Sequence, residues 1–126
     1  MNKQRITTEN APKAIGPYAQ GVKIGNLVFT SGQLPIDVST GNLITDDIKE
    51  ATHHCLKNLD AILKEAGTSL DGVIKVVVFL KDLNDFADMN EVYATYFEKS
   101  FAARSCVQVA KLPMDAMIEI EAVAEI

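Results

Sequence analysis

The chain has 126 residues, 48% hydrophobic and 23% charged, which fits one globular domain over residues 1–126 with a core that needs no disulfide or metal staple. A formal net charge of −5 argues against a nucleic-acid partner, whose phosphates are held by Lys and Arg. Cys55 and Cys106 form neither a disulfide framework nor a metal spacing, no run approaches a membrane span, and the first ten residues lack the apolar stretch of a signal peptide. The expectation is a cytoplasmic protein with free thiols.

A short segment near residues 4–8 reads as a possible first strand. Residues 18–24 (YAQGVKI) and 27–34 (LVFTSGQL) read as two strands. They join at Gly25-Asn26, a dipeptide suited to a tight turn with positive φ. Pro35 and the DVSTGN stretch at 37–42 mark a loop.

Residues 47–66 carry the clearest helix. Asp47 and Glu50 form a capping-box pattern. Ile48, Ala51, Cys55, Leu56, Leu59, Ile62, Leu63 and Ala66 fall on one helical face, and Gly67 suits the C′ position. Residues 73–80 (VIKVVVFL) are β-branched and almost continuously apolar, the pattern of a strand covered on both faces. Asp85 can cap a second helix running to about Lys99, with Phe86, Met89, Tyr93 and Phe97 on its buried face. Two strands follow near 104–109 and 117–124, linked by a loop containing Pro113.

Strand pairs flanking single helices predict an α+β fold: a mixed sheet with both helices on one face. The opposite face is then left to solvent or to a partner chain.

If the last two strands pair as a hairpin, Val107 and Val109 must face the same core as Ile118, Ile120, Ala122 and Ala124. Arg104, Cys106, Glu119 and Glu121 would then share the face away from the helices. That face reads either as a wetted surface or as a site. In the second case a guanidinium fork suits a carboxylate, and a nearby Glu can exchange protons with a reacting group. Asn90 interrupts the apolar stripe of the second helix and needs a hydrogen-bond partner. Tying helix to loop backbone is one role for it, and direct ligand contact is another. His53 and His54 lie off the apolar stripe of the first helix and read as solvent-exposed, with no further ligands at zinc spacing. No phosphate-binding Gly-rich loop or nucleophile elbow is present.

Five segments resemble the Rid (YjgF/YER057c/UK114) family: APKAIGPYAQG at 11–21, FTSGQLP at 29–35, NLDAILKEAG at 58–67, VVVFLKDLNDFADMNEVY at 76–93 and ARSCVQVAKLPMDAMIEIEAVA at 103–124. The resemblance implies a chorismate-mutase-like fold with two helices on a mixed six-stranded sheet. It also implies a homotrimer with a ligand cleft at each subunit boundary. By the same resemblance, Arg104 grips a substrate carboxylate and Glu119 is its acidic partner. The main-chain carbonyl of Cys106 orients water, and Tyr18 lines the cleft from a neighbouring chain. Ser31 and Gly32 border the ligand, and Asn90 is the polar residue of the helix. Ala102 departs from the family, in which many members carry Pro shortly before the Arg. The implied activity is hydrolysis of short 2-imino acids to 2-oxo acids and ammonia, with no metal or organic cofactor. A non-catalytic carboxylate-binding module and a single-stranded-RNA endoribonuclease or translation inhibitor are the alternatives.

Overall fold

The computed structural model describes residues 2–126. Its centre is helix α1 (Ile48–Ala66). Asp47 caps it from extended backbone, its Oδ1 accepting from the N–H groups of Lys49 (3.0 Å) and Glu50 (3.3 Å). Glu50 turns away to His54 rather than closing the reciprocal half of a capping box. Gly67 ends the helix at φ 100, a left-handed conformation that a side chain would resist. Leu56, Leu59, Ile62 and Leu63 are fully buried, each contributing roughly 1.5–3 kcal/mol.

The strands are β1 (Gln4–Ile6), β2 (Gly21–Ile24), β3 (Leu27–Thr30), β4 (Ile36–Asp37), β5 (Asn42–Leu43), β6 (Val73–Leu80), β7 (Ala103–Gln108) and β8 (Ile118–Glu125). Six of them form one sheet in the order β1-β2-β3-β8-β6-β7, while β4 and β5 make a small ribbon within the segment expected to be loop. Helix α2 (Phe86–Tyr96) connects β6 to β7, which run parallel, and every other pairing in the sheet is antiparallel. Gly25, at φ 58, turns the β2–β3 hairpin. The second helix stops three residues before Lys99, and Asp85 precedes it without a side-chain cap.

Val28, Val76, Val78, Ile118 and Ile120 on the inner face pack against the helices and are fully buried. The outer face carries apolar side chains among charged ones and is uncovered within the chain. Phe29 is 44% exposed and Val107 43%, with Val77, Phe79 and Val123 half-buried beside them. The strand at 73–80 is therefore covered on one face only within the chain.

The expected hairpin between the last two strands does not form, because β6 lies between β7 and β8. Across it, Val76 aligns with both Arg104 and Ala122, and Val78 with both Cys106 and Ile120. Aligned residues share a face, so Arg104 and Cys106 lie on the helix side and Val107 on the bare side. Glu119 and Glu121 align with Phe79 and Val77 and face outward. The four side chains expected on one face are split two and two. The cause is that β7 is an edge strand: its core-facing positions need only reach the rim under α2, where an Arg stem fits and a Val is not required.

Candidate functional site

Arg104 lies at that rim. Its Nη1 donates to Asn90 Oδ1 at 2.7 Å. Its guanidinium carbon sits 4.6 Å from the ring centroid of Tyr93 and 5.6 Å from that of Phe86. Two aromatic faces and an amide oxygen thus fix the fork before any ligand arrives. Among the described residues no carboxylate pairs with it. Asn90, the polar break in the α2 stripe, finds its partner in this guanidinium instead of in loop backbone. Phe86 is half-exposed beside the Arg and departs from the expected buried face, whereas Met89, Tyr93 and Phe97 are buried. The Tyr93 hydroxyl is buried with no hydrogen-bond partner among the described residues.

Cys106 follows on the same face, half-buried against the core. Burial pushes its thiol pKa up, partly countered by Arg104, so the sulfur stays protonated. Its backbone is better placed. Val109 donates its N–H to Leu80 O at 3.0 Å, and strand alternation then turns the Cys106 carbonyl toward the open edge of the sheet.

The other residues gather on the opposite side. Tyr18, Ser31, Gly32, Met114 and Glu119 line one cavity of about 540 Å³. Gln20 sets the loop that carries Tyr18: its Oε1 accepts from the Thr8 N–H (2.7 Å), and its Nε2 donates to the carbonyls of Thr8 (3.0 Å) and Pro12 (2.8 Å). The Ser31 hydroxyl donates to Ala19 O at 2.6 Å, which commits it to holding this loop against the sheet. Gln33 and Ile120 exchange backbone hydrogen bonds of 2.8 and 3.1 Å, placing Gly32 beside Glu119. A Cβ on Gly32 would stand 2.7 Å from the Glu119 carboxyl carbon, so only glycine leaves that carboxylate its position. Burial first, and the charge of Glu121 second, raise the Glu119 pKa above the usual carboxylate value. A carboxylate raised this way is a stronger base than an ordinary one.

The residues singled out from sequence thus form two separate clusters. Arg104, Asn90 and Cys106 make one. Tyr18, Ser31, Gly32 and Glu119 make the other, across the sheet. Phe86 and Tyr93 beside the guanidinium, and Gln20 and Met114 at the cavity, were not singled out. Apolar and aromatic residues at helical spacing read as core, and the loop residues carry no periodic signal. His53 is not solvent-exposed either: its Nδ1 meets the Tyr96 hydroxyl between the two helices.

Two helices on one face of a mixed six-stranded sheet, the other face bare, define the chorismate-mutase-like, Rid-type fold. The model of a family described as "Endoribonuclease L-PSP" matches residues 8–126, and the chain belongs to this family, the Rid family of the sequence resemblance. It is 56% identical to a RutC family protein of Pyrococcus abyssi, covering 98% of each chain. It is 50% identical to a 2-iminobutanoate/2-iminopropanoate deaminase of Salmonella typhimurium, covering 94% of each. The crystal structure of Escherichia coli TdcF with bound serine superposes with a TM-score of 0.94 at 48% identity, covering 98% of each chain. No helix among the described residues is long and apolar enough to cross a membrane.

Proposed function

We propose that this chain is an imine deaminase that acts as a cytoplasmic homotrimer of single-domain protomers. Its substrates are short 2-imino acids such as 2-iminobutanoate and 2-iminopropanoate. The observation that carries this reading is the Arg104 guanidinium, held by Asn90 and Tyr93 and, among the described residues, left without a carboxylate of its own. Such a group is prepared for a small anionic ligand. Glu119 cannot reach that ligand within one chain, so the acid comes from a neighbouring copy docked on the bare sheet face. Tyr18, Ser31 and Gly32 come with it.

In the mechanism, Arg104 of one protomer binds the substrate carboxylate and fixes its orientation. The Cys106 carbonyl and the neighbour's Glu119 hold a water against the imine carbon. Glu119 accepts a proton as the water oxygen bonds to that carbon. It returns that proton to nitrogen and takes the hydroxyl proton as the C–N bond breaks and the C=O bond forms, and that last proton passes to the departing ammonia, leaving the 2-oxo acid and ammonium. A protonated imine is electrophilic already, so the chemistry calls for neither a metal nor an organic cofactor. The test couples an amino-acid dehydratase, which releases iminobutanoate from threonine, to oxo-acid detection. Wild type accelerates oxo-acid release, and Arg104→Ala loses the acceleration. Equal rates for the two proteins would refute the reading.

The family description favours a second reading, cleavage of single-stranded RNA. The formal charge of −5 weighs against it. RNA cleavage that survives further purification and Arg104→Ala would replace the deaminase reading.

A further inference from the structure

Two consecutive residues, Met114 and Asp115, adopt left-handed backbone at φ 59 and φ 55, and neither is glycine. That conformation costs roughly 1–2 kcal/mol per residue for an L-amino acid. The turn is held from three directions. Asp115 N–H bonds to Leu112 O at 3.0 Å and Ala116 N–H to Pro113 O at 3.1 Å, while the Asp115 carboxylate meets Lys81 Nζ at 3.0 Å. The result is to lift the Met114 side chain out of the core, 63% exposed, on the wall of the cavity that holds Glu119. Ile15, 87% exposed, lines the same cavity. Two large apolar side chains therefore stand in the open on the cavity wall they share with the half-buried Glu119, and nothing among the described residues packs over them.

We propose that Met114, presented by this strained turn, sets which 2-imino acids the site accepts. This rests on the deaminase reading. With the carboxylate on Arg104 and the imine carbon against Glu119, the substrate's side chain is the part left to meet Met114 and Ile15. That wall suits a small unbranched apolar chain. The flexible thioether accommodates one or two methylenes and excludes a branched chain by volume.

The experiment compares wild type with Met114→Gly. Glycine relieves the positive φ, so the variant removes the wall and keeps the turn. Imines are generated in situ from alanine and from leucine by an amino-acid oxidase, and kcat/KM for oxo-acid release is measured for each. The leucine-to-alanine ratio is expected to rise about tenfold, the scale of a methylene or two in an apolar pocket. A ratio within a factor of two of wild type overturns the assignment of Met114 while leaving the deaminase reading intact. Failure of wild type to accelerate any of the imines overturns that reading and this assignment together.

Discussion

Arg104 and Glu119 lie on opposite faces of one sheet, with β6 between their strands. If both serve one reaction, each catalytic centre takes its guanidinium from one chain and its carboxyl from another.

Mixing two inactive variants tests this directly. Arg104→Ala and Glu119→Gln should each be inactive alone. Refolded together at equal amounts, they should recover about a quarter of wild-type activity, because that share of interfaces in a randomly mixed ring pairs an intact Arg with an intact Glu. Zero recovery in mixed trimers confirmed by mass would point to a site within one chain.

Glu119 is expected to trade stability for activity. A carboxyl whose pKa rises on folding favours the folded state when protonated, so its charged form costs stability above that raised pKa. The cost fades as pH falls through it. Glu119→Gln should therefore melt higher than wild type at pH 7.5, with the difference shrinking toward pH 4. The same change should lower kcat at least about 100-fold. Thermal melts across that range, run beside the imine assay, check both.

The bare face predicts the oligomer. Val107 is 43% exposed in the lone chain, so a charge there leaves the protomer's fold in place and opposes docking. In the proposed homotrimer, Val107→Glu should shift the light-scattering mass from about 41 kDa, three times the 13.7 kDa chain, toward one chain. Imine hydrolysis should be lost with it. A mass unchanged by the substitution would remove this face from the interface.

Asn58 supports the cavity from beneath. It is 1% exposed, and its Nδ2 donates to Leu34 O (3.3 Å) and Ile36 O (2.9 Å), pinning the segment after Gly32 to α1. Asn58→Ala leaves those carbonyls without their partner and should cost about 1–3 kcal/mol. For a chain of this length that lowers Tm by several degrees in calorimetry.

Much of this protein was legible along the chain. The cap at Asp47, the stripe from Ile48 to Ala66, the stop at Gly67 and the run at 73–80 are local signals, written by side-chain period and backbone sterics. Alternation and the broken helix stripe singled out Arg104, Cys106, Glu119 and Asn90, and family resemblance added Tyr18, Ser31 and Gly32 and gave each a role. Their relative placement was not legible. Alternation shows that Arg104 and Val107 face opposite ways, but which of them faces the helices depends on the strand lying alongside. That neighbour is β6, brought in by the long-range crossover through α2. The left-handed turn at Met114 was equally hidden, since no glycine marks it and one of the contacts that hold it comes from Lys81, far away in sequence. Sequence by itself determined the elements and their chemical inventory, because both are set within a few residues. Tertiary structure alone decided that the inventory divides between the two faces of the sheet, because the face a strand shows is set by what packs on it.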